Sequence, residues 1–492
     1  MRARMSGWVV AMLAAPALSC VLGAPLWAQD VERDRFLEEC GGSEDEADAE
    51  EAESQLSDEC IPLADLPERP RAVIELGAPF LGTGVLGSGF ELPGGAVWQP
   101  AALAFATWRN AVQGVTVGPG DTEFIEAVSR LDLFGNLYLT QTERVLVGFR
   151  PLDENGQFTS ATLYQSPEDV LPDDVEALNF ALSTLFFEGD FSELFPNLDD
   201  DDSGGLDIYF SVGRQPLAFQ DGGLLAEDQM DMVGLTRANM KIGSLINTRV
   251  TGVWGWGQVT RHSVDGNVTD PDAALFGLFT EIDVPSATLE LDAVYVTSSA
   301  EAGDGVHVAL GDTRVIGRFN NTLRVMASFP VGDETSFNTQ GVLIQNQIGW
   351  TPHGSHNWWY IGGFVGFDRF RSAARGESSG GPAGRTGLLF AAPGIGRIGA
   401  PLGNQVDDAA GGSLGYQMFF NDSRQQLILE AGGRVRIKDD SMGRKLGGFL
   451  ASYQTAMRRR FVLVLQGIGT YNFDVDDSNV NVAGRLELQL QL

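Results

Sequence analysis

The sequence predicts an all-β protein, a transmembrane antiparallel β-barrel of about 16–18 strands with an acidic N-terminal periplasmic extension. The first observation is that the last seven residues, Leu486–Leu492, alternate apolar and polar side chains up to the final residue. A period of two places apolar side chains on one face of a strand and polar side chains on the other. The second observation is that this alternation recurs along most of the chain, and the third is an N-terminal export signal.

Residues 1–28 have the parts of a secretory signal peptide: a positive start with two Arg, an apolar stretch over about residues 8–22, and a small-residue cleavage site ending at Ala28. A lipoprotein signal ending at Cys20 is the alternative, but Ala17 stands where such signals usually have Leu. Downstream, no run reaches the roughly 18 consecutive apolar residues of a membrane helix. This excludes a helical inner-membrane protein.

The chain is strongly acidic. Its formal net charge is −33, and it becomes −35 when the signal, with two Arg and no acidic residue, is removed. Residues 29–60 hold fourteen Asp and Glu against two Arg. This balance excludes nucleic-acid binding through a broad basic surface. We expect residues 29–70 to be a periplasmic extension, residues 71–100 to be a strand that enters the barrel or an inward-folded plug, and residues 101–492 to form the barrel.

Cys40 and Cys60 are the cysteines that remain after signal removal, and they bracket an acidic run. An oxidising compartment favours a disulfide between them. Closing a loop of about 20 residues stabilises by roughly 3 kcal/mol. The alternative is a bond that only tethers a tail, and no catalytic role is expected.

Eighteen strands can be assigned, with sixteen as the nearest competitor. The assigned strands are 101–112, 130–139, 144–150, 178–195, 206–218, 231–240, 245–259, 272–282, 286–298, 305–317, 322–330, 338–350, 356–371, 412–420, 425–437, 445–455, 459–473 and 479–492. If the last strand descends to the periplasm, the connections assigned to the periplasm are mostly tight turns. The long connections 151–177, 260–271 and 372–411 are then external, as expected of an outer-membrane barrel.

The alternation also predicts which side chains line the pore. If the Leu-rich face meets lipid, the polar face projects charged residues into the lumen. The candidates are Arg130, Asp132, Glu290, Asp292, Glu430, Arg434, Arg436 and Arg460. Arginines opposing acids create a transverse field that filters solutes by charge, whereas salt pairs with a purely structural role are the alternative.

Aromatic residues near the predicted strand ends are expected to form interfacial girdles. These are Trp254, Trp256, Trp350, Trp358, Trp359, Tyr360 and Tyr471. The connection 372–411 is rich in Gly and Pro, and it either folds inward to narrow the channel or stays outside as a mobile cover.

Motifs of enzymes and cofactor sites fit poorly. Two Gly-x-Gly-x-x-Gly matches, 82–87 and 394–399, lack the following helix that a dinucleotide site needs. The nucleophile-elbow match 376–380 lies in a stretch without the required strand and helix. With only four His in the chain, neither zinc chemistry nor a serine hydrolase is favoured. We expect no enzyme activity.

One stretch resembles a calcium loop. Oxygen ligands at its positions 1, 3, 5 and 9 come from Asp199, Asp201, Ser203 and Asp207. Position 12 should be a bidentate Glu but is Phe210, and a strand rather than a helix follows. The alternative is a solvated turn, and calcium is the only cofactor that the sequence suggests.

The segment Ser211-Val212-Gly213-Arg214-Gln215, followed by Asp221-Gly222 and Asp231-Met232-Val233, resembles the strand-loop-strand segment of alginate-export-type and related Gram-negative outer-membrane porins. In those proteins a Gly-Arg-Gln strand precedes a Gly/Asp loop and a second strand that opens with Asp. The resemblance covers about 25 of the 492 residues and departs at Pro216 and at the final Leu492. It implies a porin-like barrel with Arg214 as a candidate lumen residue, and it identifies no substrate.

The sequence thus predicts a channel in the cell outer membrane for passive or facilitated diffusion of small hydrophilic solutes. Its expected partners are outer-membrane lipid and those solutes, with a homo-oligomer left open. The alternative is a plugged structural or surface-interaction barrel without transport activity, closed by 71–100 or by 372–411. The transported solute and the ion selectivity do not follow from the sequence.

Overall fold

The computed structural model of the chain consists almost entirely of β-strands. It describes residues 72–77, 89–117, 122–140, 142–154, 157–166, 174, 178–198, 205–220, 223–243, 245–263, 266–298, 302–335, 337–376, 380–381, 383, 387–390, 395–421, 423–438, 444–474 and 480–492. The expected signal peptide, the acidic extension and the Cys40–Cys60 disulfide lie outside the described residues.

The strands are β1 Ile74–Leu76, β2 Phe90–Glu91, β3 Val97–Trp98, β4 Ala101–Val117, β5 Thr122–Tyr138, β6 Arg144–Phe149, β7 Asp153–Glu154, β8 Gln157–Ser166, β9 Leu182–Asp190, β10 Ile208–Phe219, β11 Ala226–Met240, β12 Asn247–Trp256, β13 Val259–Ser263, β14 Gly266–Asp270, β15 Ala274–Val284, β16 Ala287–Thr297, β17 Asp304–Ile316, β18 Phe319–Val331, β19 Gly341–Trp350, β20 Trp358–Asp368, β21 Ala409–Phe420, β22 Gln425–Arg436, β23 Leu446–Ala456, β24 Phe461–Asn472 and β25 Val480–Gln491. One short helix, α1 (Phe191–Leu194), and a 3-10 turn (Pro196–Leu198) follow β9. Within the described ranges, no helix is long and apolar enough to cross a membrane.

Eighteen strand positions form one closed ring. In order they are β4, β5, β6, β9, β10, β11, β12 and then β15 through β25. Each strand is antiparallel to the next, and β25 returns to β4 with Leu486 opposite Val112. Closure leaves no unpaired sheet edge between the last strand and the first. The predicted antiparallel barrel is confirmed, with eighteen strands rather than sixteen.

The third strand position differs from the sequence-based assignment. β5 pairs with β6 through Leu133–Tyr138 and with β8 through Glu123–Ser129, so β6 and β8 share one position interrupted by residues 150–156. The assignment of all of 151–177 to an external loop is therefore wrong for residues 157–166. Thr159 and Ala161 on the outer face give β8 no apolar face that the alternation would reveal.

The two barrel faces follow the predicted parity. On β25 the Leu486 side chain is 49% exposed on the outside, whereas its neighbour Glu487 is 0% exposed on the inside. The same inward parity holds for Gln466 and Thr470 on β24, with Leu465 and Tyr471 outside. The sequence alternation thus separates a lipid-type face from an inner face that carries the polar side chains of these strands together with some apolar ones such as Ile468.

One end of the barrel, which we call the turn end, has the tight connections 285–286, 317–318, 421–424 and 457–460. The opposite loop end has the connections 257–273 and 369–408. Connection 257–273 contains the hairpin β13–β14, which the sequence did not predict. The predicted asymmetry between the ends is present.

Aromatic rings from four consecutive strands form a continuous outer band at the turn end. Trp350 packs edge-on against Phe319 at 5.6 Å and stacks on Trp359 at 6.1 Å, and Trp359 stacks on Tyr416 at 4.2 Å between ring centroids. Such bands suit a membrane–water interface. Trp254, Trp256 and Tyr471 also face outward, near the loop end.

Two aromatic predictions are wrong. Trp358 and Tyr360 share the inward parity of Phe364 on β20. Trp358 lies over the backbone of Gly349 and Tyr360 over that of Gly415, and both glycines leave room inside the barrel for the rings. Adjacent Trp358 and Trp359 must face opposite sides of a strand, so only one of them can join the outer band.

The segment before the barrel enters as an edge strand. β1 pairs with the start of β4, with Ile74 opposite Ala104, and continues the position of β25 beyond its end. The β2–β3 hairpin lies at the turn end, where Gly94 accepts a hydrogen bond from the Asn197 amide. Residues 78–88 of the expected entry strand or plug lie outside the described residues.

Candidate channel lumen

A cluster of charged side chains lies inside the barrel where the last strand meets the first. Arg109 on β4 lies 2.6 Å from a carboxylate oxygen of Glu487 on β25, and Arg485 approaches the other oxygen at 3.5 Å. Gln489 donates a hydrogen bond to the same carboxylate at 2.9 Å. Two guanidinium groups share this one carboxylate, so the three-residue cluster carries a net positive charge, while Glu126 on β5 adds a buried acid to the same wall.

The predicted pair Arg130 and Asp132 lies on the lumen face of β5. Arg130 Nε is 2.7 Å from Asp132, and Arg150 Nε is 2.9 Å from the other oxygen of Asp132. The Arg130 guanidinium also lies 5.0 Å from the centre of the Phe158 ring. Arg150 also lies 3.4 Å from Asp153, so this cluster contains two arginines and two acids.

Glu290 and Asp292 face the lumen from β16, nine ring positions from β25 and therefore across the barrel. Asp292 accepts a hydrogen bond from Gln220 Nε2 at 2.6 Å. Gly311 of β17 makes room for Glu290, because a Cβ at that glycine would lie 2.6 Å from the carboxylate. Arg324 of β18 lies opposite Gly311 and is also buried inside the barrel, so this wall carries charges of both signs.

Glu430, Arg434 and Arg436 lie on the lumen face of β22, as predicted. Arg434 donates one hydrogen bond, to the Leu402 carbonyl at 3.1 Å, while its Nε and Nη2 have no hydrogen-bond partner among the described residues. Arg436 lies 3.0 Å from Asp474 near the loop end. Arg434 therefore presents unsatisfied donors inside the barrel.

Two pore-lining predictions are wrong. Arg214 lies on the outer face of β10, where it forms an ion pair at 2.9 Å with Asp231, which itself lies opposite Trp256. The parity of this strand is hidden in the sequence, since Gly213 and Pro216 give neither face a continuous apolar character. Arg460 lies in the connection 457–460 at the turn end rather than within a strand.

The connection 369–408, which we call the inner loop, folds into the barrel. Its two ends are joined by a bidentate ion pair, in which Arg371 Nη1 and Nη2 lie 2.6 and 2.9 Å from Asp407. Both side chains are buried. A buried bidentate pair of this geometry fixes the orientation of the loop.

Beyond this pair the inner loop binds the wall near β11 and the β13–β14 hairpin. Arg375, 1% exposed, lies 2.6 Å from Glu227 of β11, and the backbone of residue 375 bridges that of residue 227 in parallel. Arg261 of the hairpin donates to the Ala373 carbonyl. These contacts attach the first part of the loop to one side of the lumen.

The far end of the inner loop reaches the opposite wall. Ile395 is fully buried against Ala111 of β4, Val128 of β5 and Phe158 of β8. The Arg397 amide donates to Glu126 on β5 at 2.8 Å, and its guanidinium donates to Thr162 at 3.1 Å. The inner loop therefore spans the lumen. This agrees with the expectation that it folds inward, and not with the alternative of a cover outside the barrel.

Gly396 lies at this contact with a φ of +82°, and a Cβ there would lie 2.5 Å from both Gln113 and Glu126. We expect Gly396→Val to displace the far end of the inner loop and raise single-channel conductance. A side chain at this position strains the backbone and clashes with the wall, which should destabilise the contact by about 2 kcal/mol. Gly399→Val is the matched control, since a Cβ there meets nothing within 4 Å. Equal conductance of the two variants contradicts this contact.

A hydrogen-bonded Ser-His-Asn chain lies where the inner loop meets the hairpin. His262 Nε2 is 3.3 Å from Ser372 Oγ, and His262 Nδ1 is 2.9 Å from Asn267 Oδ1. This order resembles that of a serine hydrolase. However, Ser372 is 1% exposed, and burial together with Arg375 and nearby guanidinium groups lowers the pKa of His262 to about 3. The imidazolium that catalysis needs is therefore disfavoured. The hydrogen bonds of Ser372, His262 and Asn267 instead hold the inner loop against the hairpin.

The low pKa of His262 makes this attachment sensitive to acid. Its folded-state pKa lies below the usual 6.5. The attachment of the inner loop is therefore most stable above pH 6.5, where the ring is neutral whether attached or released, and it weakens as pH falls toward 3. At pH 5 we expect a loss of about 1 kcal/mol for this half-buried ring, and therefore about fivefold more time in a higher-conductance state. The measurement is single-channel recording at pH 7 and pH 5. His262→Gln should remove the effect, whereas His353→Gln, in a turn at the other end, should keep it.

The calcium prediction is mostly outside the described residues. Asp199, Asp201 and Ser203 are not described, and the Asp207 carbonyl accepts a hydrogen bond from Arg237 at 3.1 Å. Within the described part of the chain, no group of three or more His, Cys, Asp or Glu is placed to hold a metal ion.

Comparison with solved structures finds similar folds in three porins. A BenF-like porin from Pseudomonas fluorescens Pf-5 has 12% sequence identity and a TM-score of 0.52, covering 80% of this chain and 98% of that one. OccK5 (OpdH) of Pseudomonas aeruginosa has 11% identity and a TM-score of 0.48, with the same coverage. OccK2 (OpdF) of P. aeruginosa, solved in complex with glucuronate, has 12% identity and a TM-score of 0.48, again with 80% and 98% coverage. No protein-family profile and no curated protein matches the chain. At this identity the BenF-like porin shows that the fold is shared.

Proposed function

We propose that this chain is a channel of the cell outer membrane that allows passive or facilitated diffusion of small hydrophilic solutes. The observation that carries the proposal is a closed eighteen-strand barrel whose inner face is lined by charged side chains. A barrel of this size holds an aqueous lumen unless it is plugged. The turn end then faces the periplasm and the loop end faces the exterior.

The lumen is built to discriminate between solutes rather than to pass them freely. Arg109 and Arg485 share Glu487 between β4 and β25, and Glu290 and Asp292 lie across from them on β16. The inner loop narrows the space between these walls. Solutes are therefore sorted by charge and dipole as they pass the loop.

A specific observation supports a second candidate, a plugged structural or surface-interaction barrel. Inner-loop residues Phe370, Leu389, Phe390 and Val406 are buried in one apolar cluster with wall residues such as Leu450. An apolar core inside a barrel is typical of a plug. Both candidates require the same fold, and only transport separates them.

The experiment is to refold the mature chain, residues 29–492, into planar lipid bilayers and record single-channel currents in asymmetric KCl. Discrete conductance steps support the channel, and the reversal potential gives the sign of its selectivity. A correctly folded but silent barrel supports the plugged candidate instead.

Arg434 and Arg214 make a matched pair for the selectivity of the lumen. Arg434→Gln removes an inward charge with unsatisfied donors, so we expect the permeability ratio of K⁺ to Cl⁻ to rise by about twofold. Arg214→Gln removes an outward charge and should leave the reversal potential unchanged. A shift of the same size in both variants contradicts the assignment of faces.

This proposal also includes the expectations on enzyme activity, calcium binding, oligomeric state and family resemblance. We expect no enzyme activity, because Ser372 is buried and the guanidinium groups near His262 disfavour its protonated form. Calcium binding near Asp207 and a homo-oligomeric state stay proposals. So does the resemblance to alginate-export-type porins, which gains no support from the Arg214 face.

A further inference from the structure

Four arginines are concentrated in two neighbouring connections at the turn end. We call Arg424, Arg458, Arg459 and Arg460 the arginine rim. The two connections are adjacent, because the Ala456 amide donates to the Arg424 carbonyl at 2.9 Å. Arg424, Arg458 and Arg459 are exposed. This is a dense positive surface on a chain with a formal net charge of −33.

The described chain begins beside this surface. The Gln491 amide donates to the Arg460 carbonyl, and Leu492 exchanges two hydrogen bonds with Ala106 of β4. On the same edge of β4, the Val73 amide donates to the Ala104 carbonyl. Val73 therefore follows Leu492 along the strand position of β25, on the side of the barrel where Gln491 contacts Arg460 of the arginine rim.

The segment that precedes Val73 carries the complementary charge. Residues 29–60 hold fourteen acidic side chains against two Arg. The intervening residues 61–71 span at most about 40 Å when extended, so the acidic segment starts within reach of the rim. Attachment to the same chain keeps it at an effective concentration of about millimolar near the rim.

We propose that the acidic segment 29–60 docks on the arginine rim. This contact holds a cluster of carboxylates at one side of the turn-end mouth of the barrel. The competing occupant is the phosphate of a lipid headgroup, which would meet the same arginines at the membrane surface. Charge complementarity and the position of Val73 favour the chain's own segment.

The test places a photo-cross-linking amino acid at Glu51 of the full mature chain in phosphatidylcholine vesicles containing phosphatidylglycerol, with cross-linked peptides identified by mass spectrometry. The expected products join residue 51 to the connections 421–424 or 457–460. High salt should abolish them, because it screens exposed charges. The triple variant Arg424→Gln, Arg458→Gln, Arg459→Gln should lower the yield about tenfold, since each exposed ion pair contributes a factor of about two.

Lys241→Gln with Arg318→Gln is the matched control, since both side chains are exposed at the same end but away from Val73. Its cross-linking should equal that of the parent. Products spread over other parts of the barrel, or a yield that neither salt nor the triple variant lowers, overturn the proposal. Products that form in pure phosphatidylcholine and disappear with phosphatidylglycerol also overturn it, and they assign the rim to lipid phosphate.

Discussion

Removing residues 384–403 and joining Ala383 to Asn404 is expected to raise single-channel conductance by a factor of about two or more. The deletion removes the far end of the inner loop, which contacts β4, β5 and β8 across the lumen. The new junction needs little rearrangement, because the Ala383 amide already donates to the Asn404 carbonyl at 3.0 Å. The Arg371–Asp407 ion pair at the base of the loop remains.

The same deletion should shift selectivity toward cations. Glu126 loses the Arg397 amide and guanidinium that now face it, so its carboxylate meets the lumen directly. The barrel wall is expected to stay folded, since the described residues of 384–403 take no part in its strand pairing, and circular dichroism in detergent checks this. An unchanged conductance in a folded variant shows that the constriction lies elsewhere.

The second large effect concerns the closure of the barrel. Glu487→Ala should lower the free energy of unfolding by about 3 kcal/mol, because it leaves Arg109 and Arg485 buried without their shared carboxylate. The measurement is urea unfolding in phosphatidylcholine vesicles followed by tryptophan fluorescence. Glu123→Ala, at an exposed acid of β5, is the control and should change little.

A compensating variant separates charge from packing. Replacing Arg109 and Arg485 with Met and Glu487 with Leu removes all three charges together, and most of the lost stability should return. If Glu487→Ala lowers the free energy of unfolding by less than about 1 kcal/mol, the shared carboxylate does not stabilise the closure of the barrel as a buried group. Exposed ion pairs typically contribute no more than that.

The sequence predicts the wall well wherever one face of a strand is continuously apolar. Leu486, Leu488 and Leu490 fix the parity of β25, and the lumen position of Glu487 follows from it. The alternation does not predict the faces of β10, because Gly213 and Pro216 interrupt the apolar pattern, and Arg214 lies on the outer face. Strand parity is a local property, so a local pattern is sufficient to predict it.

The inner loop was only partly predictable for the opposite reason. Its length and its Gly and Pro content mark it as a long connection, but Arg371 and Asp407 pair across 36 residues, and Arg397 meets Glu126 across 271. No periodicity relates such partners. The sequence pattern does not reveal the lumen residues Arg109, Glu126 and Glu487, because their partners lie far away in the chain: Arg109 pairs with Glu487, and Glu126 with Arg397.

The contact between Arg397 and Glu126 has a consequence for the order of assembly. It joins the second barrel strand to a loop that follows the thirteenth, a sequence separation of 271 residues. Contacts of such separation form late and slowly. Pairing of β25 with β4 closes the barrel around the inner loop. The inner loop must therefore already lie inside the ring before these two strands pair. A chain that seals first with its loop outside is a kinetic trap, and escape requires the ring to reopen.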